Sequence, residues 1–218
     1  MLEAILWDND GVLVDTERLY YESTKEALSE TGVELTEELF KTISLKQGRS
    51  SFDLAAERGI TAEKISRLQQ KRNLLYGNLL RSGVRPIDGV EHTLRMLQGR
   101  VSMGVVTSSR REHFDIIHAA TGLLPYFNFV LTREDYERSK PDPDPFLTAI
   151  RKNGFKKERC IIVEDSERGL RAAIAAGIRC MVVPNRLTMD GDFSGAHGIY
   201  DTILDASSEL LRLLDSDN

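Results

Sequence analysis

Asp8 and Asp10 stand one residue apart at the end of an apolar run, Leu2-Glu3-Ala4-Ile5-Leu6-Trp7, and Gly11 follows them. Two carboxylates at i and i+2 point to roughly the same side if the strand persists. At about 4 Å, in an effective dielectric of about 20, they repel by roughly 4 kcal/mol. A cation must sit there, or one acid must hold a proton. Either outcome is useful to an enzyme. The run is short, mostly apolar and stopped by turn residues, which predicts a buried strand of a parallel sheet. Asp8 then lies at a strand's carboxyl end, the edge where open α/β sheets bind ligands. Gly11 permits a tight reversal. A solvated Asp-Asn-Asp-Gly turn has the same composition, so the rest of the chain must decide between the two.

Two further strand-like runs end in polar groups. Ser102 to Val106 leads into Thr107-Ser108-Ser109, and Cys160 to Val163 leads into Glu164-Asp165-Ser166. Lys140 stands in a loop, Ser139-Lys140-Pro141-Asp142-Pro143. Paired carboxylates favour a hard cation such as Mg²⁺. A hydroxyl, free backbone N–H groups at a helix start and one lysine favour an anion. Together they describe a metal-assisted phosphate site. Each has a plainer use: Thr107 and Ser108 as caps of the next helix, Glu164-Asp165-Ser166 as acids at a helix N-terminus, and Lys140 as a solvated lysine.

The elements that must position these residues follow from periodicity. From Glu17 to about Arg81 only helical spacing is found, which predicts a block of about four helices. Beyond Ser82-Gly83 strands and helices alternate: a helix over Gly89–Gln98, a helix over Arg110–Ala120, a strand over Phe127–Leu131, helices around Pro145–Lys152 and over Gly169–Ala176, a strand over Arg179–Pro184, and a last amphipathic helix over Ile203–Leu214. Such alternation means a parallel sheet with helices on both faces. The fold class is therefore α/β, a Rossmann-like core formed by residues 1–15 and 84–218. An all-helical insertion, residues 16–83, follows its first strand, with hinges at Asp15-Thr16 and Ser82-Gly83.

A chain of 218 residues with 41% hydrophobic and 29% charged residues has ample length for a sizeable core. The formal charge of −5 argues against a nucleic-acid binder. No membrane-spanning or secretory segment is evident, so the chain is expected to be cytoplasmic. Cys160 and Cys180 lie in apolar, strand-like surroundings and are expected to be buried free thiols. His92, His113, His118 and His197 are scattered on helices or a terminal loop and receive no role.

In this order, Asp8-Asn9-Asp10-Gly11 with Asp15-Thr16, then Thr107, then Lys140-Pro141, then Glu164-Asp165-Ser166-Glu167-Arg168-Gly169 resemble the four motifs of haloacid dehalogenase-superfamily phosphohydrolases. The resemblance spans almost the whole chain and points to the branch with β-phosphoglucomutase and phosphoglycolate phosphatase-like enzymes. It implies that Asp8 is the nucleophile, forming an aspartyl phosphate. Asp10 is implied as general acid and then base, with its backbone carbonyl on the metal. Asp8 and Asp165 would hold Mg²⁺, with Glu164 a ligand directly or through water. Thr107 and Ser108 would hold the phosphoryl oxygens, beside Gly11, and Lys140 would neutralise them.

In such relatives the helical insertion is a cap, and a loop between its helices reaches the site. Gln47-Gly48-Arg49-Ser50-Ser51 is the candidate here, with Arg49 able to grip a second anion; a surface connection with a solvated arginine is the alternative. The expected substrate is a small phosphorylated metabolite, a sugar phosphate or similar monoester. The mutase alternative needs a cap histidine, and Tyr20 occupies that place. A non-catalytic phosphometabolite-binding protein is a second alternative. Monomer and homodimer stay open.

Overall fold

The computed structural model describes residues 2–215. β1 (Ala4–Trp7), β2 (Ser102–Val106), β3 (Phe129–Leu131), β4 (Cys160–Glu164), β5 (Arg179–Val182) and β6 (Gly198–Ile199) form one sheet in the order β3-β2-β1-β4-β5-β6. Every pairing is parallel, and Trp7 lies level with Val105 on one side and Val163 on the other. The residues just past β1 and β2 and the end of β4 therefore share one edge. Alternate residues face opposite layers, as the strand period requires. Ile5, Trp7, Val105, Ile161 and Val163 pack with Leu94, Phe114, Ile117 and Leu210 of α5 (Val90–Leu97), α6 (Arg111–Thr121) and α9 (Ile203–Asp215). Ala4, Leu6, Ile162 and Val182 pack with Phe146, Ala149, Leu170 and Ala173 of α7 (Asp144–Asn153) and α8 (Glu167–Ala176).

Between β1 and β2 lie α1 (Glu17–Ser29), α2 (Glu37–Phe40), a π-helical turn over Lys41–Lys46, α3 (Asp53–Glu57) and α4 (Ala62–Arg81). They close around their own apolar cluster, which includes Leu28, Phe40, Phe52 and Leu68. Leu187, from the loop after β5, joins that cluster. The chain enters and leaves the block at neighbouring points: Val14 bridges Pro86, and the Ile87 N–H donates to the Leu13 carbonyl at 3.0 Å.

Three expectations about elements change. β3 begins at Phe129, because Leu124–Tyr126 form a 3₁₀ turn that takes the Phe127 N–H to the Leu124 carbonyl at 3.0 Å, and the Asn128 N–H, on the Met103 carbonyl at 2.8 Å, makes only the first contact with β2. β5 ends at Val182, two residues short of Pro184. The short edge strand β6 has too few residues to show a period. Cys160 and Cys180 are buried free thiols.

Candidate active site

The carboxyl edge brings Asp8, Thr107, Lys140, Glu164 and Asp165 together, all of them buried. Lys140 is the hub. Its ammonium donates to Asp8 Oδ1 at 2.6 Å, to Glu164 Oε1 at 2.6 Å and to the Val106 carbonyl at 2.9 Å. The two carboxylates hold its pKa above the ordinary lysine value against the pull of burial, so Lys140 is a fixed cation and not a solvated loop residue. The other Glu164 oxygen accepts from the Asp165 N–H at 3.1 Å and the Ser166 hydroxyl at 3.1 Å. Ser166 also caps α8, accepting from the Gly169 N–H at 3.3 Å, so helix capping and site building coexist here.

Asp8, Glu164 and Asp165 each place a carboxylate oxygen within 4.8 Å of the others. Burial pushes Asp8 up to about 7 despite Lys140, with repulsion from Glu164 and Asp10 adding to it. Burial likewise raises Asp165 well above the carboxylate range, helped by Glu17, Glu164 and Asp8. Glu17 carries no functional signal in the sequence. It is buried and pushed up to about 8 by burial, and its Oε2 accepts from Asn185 Nδ2 at 2.8 Å; the same amide nitrogen donates to Asp165 Oδ2 at 2.8 Å. Such a donor set, all oxygen and too negative to stay fully ionised alone, fits a hard divalent cation.

Asp10 occupies a different environment. Oδ2 accepts from Ser109 Oγ at 2.7 Å, Asn9 Nδ2 at 3.2 Å and Thr107 Oγ1 at 3.3 Å, and Oδ1 from Thr16 Oγ1 and the Tyr76 hydroxyl, the latter at 3.4 Å. Its side chain lies outside the acidic cluster and borders a cavity of about 440 Å³ between the sheet edge and the helical block. Ser108 lines this cavity too. Thr107 and Ser108 do not cap α6, whose N-cap is Arg110 without a side-chain bond. Gly11 adopts φ +84°, and a Cβ there would strike the Asp165 carboxylate and the Asn185 amide. Its N–H donates to the Val14 carbonyl at 2.8 Å. Gly11 therefore makes the turn and the close approach, and its N–H is not free for phosphate, which corrects its expected binding role.

The block supplies the opposite wall. Its Gln47–Ser51 loop reaches the carboxyl edge of the sheet: a Cβ on Gly48 would lie 2.9 Å from the Lys140 carbonyl oxygen. Arg49 lines the cavity and pairs with Asp53 at 3.1 Å and Glu57 at 3.4 Å, with half of its side chain exposed. Arg72, Arg110, Arg133 and Arg168 line it as well. Arg168 sits in the first turn of α8, where the helix dipole disfavours a cation. Against the pull of burial, Asp8, Glu164, Glu17 and Asp165 raise its pKa, and its Nε is buried without a hydrogen-bond partner among the described residues. Tyr20 lies under the Arg72 guanidinium, 4.5 Å from the ring centre, and its hydroxyl accepts from Arg72.

Comparison with known proteins agrees with this geometry. The family model of the haloacid dehalogenase-like hydrolases matches residues 5–183. The putative phosphatase YhcW of Bacillus subtilis is 30% identical over 99% of this chain and 97% of its own. Protein CbbY of Cereibacter sphaeroides is 30% identical over 96% of this chain and 94% of its own. The crystal structure of CbbY from Rhodobacter sphaeroides in complex with phosphate superimposes with a TM-score of 0.81 at 24% identity, covering 99% of this chain and 100% of that one. The sheet order, the clustered acids with their lysine and a family match across most of the chain identify the protein as a member of the haloacid dehalogenase-like hydrolase family.

Proposed function

We propose that the protein is a Mg²⁺-dependent phosphatase of a small phosphorylated metabolite, a sugar phosphate or similar phosphomonoester, acting through an aspartyl phosphate on Asp8. The observation that carries this reading is the divided environment of Asp8 and Asp10. One carboxylate is buried against a lysine ammonium, and the other is held by neutral donors at the cavity wall. Two acids in different surroundings are how one site obtains a nucleophile and an acid-base group.

Asp8 attacks phosphorus, and the phosphoryl group passes to its carboxylate as the P–O bond to the leaving oxygen breaks. Asp10 gives that oxygen a proton and then takes one from the water that hydrolyses the acyl phosphate. Lys140 keeps the Asp8 carboxylate oriented and offsets phosphoryl charge, beside Thr107 and Ser108. Asp8, Asp165 and the Asp10 carbonyl would hold Mg²⁺, which supplies charge neutralisation to the transferring phosphoryl group. Glu164 has one oxygen on Lys140 and the other on the Asp165 N–H and the Ser166 hydroxyl just before α8, so it serves the cluster first as the lysine's anchor.

The helical block, residues 16–83, acts as a cap whose cavity wall selects the substrate. The arginines along the cavity suit an anionic ligand, and two relatives bear names of the proposed class. The phosphorylated carbohydrates phosphatase of Thermotoga maritima and the fructose-1-phosphate phosphatase YqaB of Escherichia coli are 27% and 26% identical to this chain. Hydrolysis is favoured over mutase chemistry because Tyr20, at the position of the mutase histidine, is engaged by Arg72.

The test is phosphate release from a panel of sugar and polyol phosphates with Mg²⁺. Activity is expected to vanish in chelator and in Asp8→Asn, because an amide is neither the nucleophile nor a good Mg²⁺ ligand. Undiminished turnover in either case overturns the mechanism, and net isomerisation of a hexose 1-phosphate would establish the mutase.

A further inference from the structure

Asn9, between the two catalytic acids, is fully buried, and His118 in the last turn of α6 is buried with 3% of its surface exposed. His118 Nε2 lies 2.8 Å from Asn9 Oδ1, and Asn9 Nδ2 donates to Asp10 Oδ2 at 3.2 Å. His118 Nδ1 lies 3.0 Å from Thr121 Oγ1. These contacts determine the direction of every hydrogen. A carboxylate only accepts, so the Asn9 amide must turn its NH₂ to Asp10 and its oxygen to His118. Nε2 then carries the hydrogen, and Nδ1 of the neutral ring accepts from Thr121. Burial pushes His118 down to about 4, which keeps the ring neutral where enzymes usually work. The Phe114 ring, centred 4.3 Å from the imidazole, and the Asn9 carbonyl, which takes the N–H groups of Leu13 at 2.8 Å and Val14 at 3.1 Å, hold the two ends in place.

We infer that Asn9 and His118 are positioning residues for Asp10: their relay helps fix the rotation of its carboxyl group, which sets the acid's aim at the leaving-group oxygen. The inference rests on the proposed acid role of Asp10. Without His118 the amide loses the donor that sets its orientation. Its flip would bring Oδ1 against the Asp10 carboxylate, exchanging attraction for repulsion. Thr107 and Ser109 would still hold Asp10, so the relay refines the acid's aim and does not create it.

General-acid help matters most for a basic leaving oxygen, so kcat/KM is measured with a polyol phosphate and with nitrophenyl phosphate, whose leaving group departs without a proton. His118→Leu is expected to lose roughly tenfold on the polyol ester, the scale of one unmade buried hydrogen bond, and much less on the aryl ester. His118→Gln, which keeps an N–H donor, should recover most of the loss. Asp10→Asn is the control and should discriminate between the esters more strongly. If His118→Leu does not fold, Asn9→Leu, which removes the donor to Asp10, replaces it in the same comparison. Equal losses on both esters alongside a discriminating Asp10→Asn would overturn the relay alone. Absence of discrimination in Asp10→Asn itself would overturn the acid role and the relay with it.

Discussion

The Glu164 carboxylate occupies the space that a Cβ on Gly169 would fill, so a missing side chain in α8 is what lets that acid reach Lys140. Glycine inside a helix ordinarily costs up to about 1 kcal/mol relative to alanine. Gly169→Ala should therefore stabilise a helix whose glycine did nothing else. Here overpacking, typically about 1 to 3 kcal/mol, outweighs that gain, and Glu164 must leave Lys140. We expect lower stability in urea denaturation together with at least a tenfold loss of phosphate release, roughly the worth of one charge-assisted hydrogen bond. A variant that is more stable and fully active would show that Glu164 is free to move aside.

At the scale of elements, the loop after β5 joins the sheet to the helical block. Asn185 bridges Glu17 and Asp165, Arg186 makes a two-pronged contact with Glu37 at 2.8 and 3.0 Å, and Asp190 pairs with Lys41. Leu187 inserts into the block's own apolar cluster and is 4% exposed. The Arg186–Glu37 pair is solvent-exposed and contributes little, whereas the Lys41–Asp190 pair has only its aspartate in water. The buried leucine is the contact that matters. Leu187→Ala is expected to cost about 2 to 5 kcal/mol, read from the shift of a urea transition, and to raise KM as the cavity wall loosens. A substitution at Arg186 should leave the transition close to its original midpoint. The opposite ranking would make the ion pairs the true clasp.

For the whole molecule, the consequence of gathering Asp8, Glu17, Glu164 and Asp165 around Lys140 and Arg168 is a dependence on pH and cation. Asp8 and Glu17 keep protons up to about 7 and about 8 in the folded state, whereas unfolded carboxyls release theirs near their ordinary values. The folded metal-free protein thus binds more protons than the unfolded chain, and its stability falls as pH rises through these values. His118 and His113, lowered chiefly by burial, act in the opposite sense, but only below the ordinary imidazole value of about 6.5. Between about 6.5 and about 8 the carboxyl effect stands alone. In that window the melting temperature should decline without Mg²⁺, and the stabilisation by added Mg²⁺ should grow with pH as the cation replaces protons. A flat or rising metal-free melting curve would contradict the charge crowding.

Lys140 stood out only by its place in the motif order, whereas Asp8, Asp10, Thr107, Glu164 and Asp165 were legible in the sequence as candidates, because each follows a short apolar run and such a run is a local property. The helical block was legible for the same reason: a period of 3.6 over sixty-odd residues needs no knowledge of what the face packs against. Only the tertiary structure brought Glu17 and Asn185 to Asp165, set Arg168 against four carboxylates, and joined Asn9 to His118 across 109 residues of chain. Glu17, Asn185 and His118 carry no pattern of their own, and Asn9 and Arg168, though inside motif segments, show no partner in them. A polar residue on an amphipathic helix has the same spacing whether it meets water or a buried amide. The sequence determines which faces must be covered, and the packing of segments far apart in the chain decides which polar groups meet beneath them.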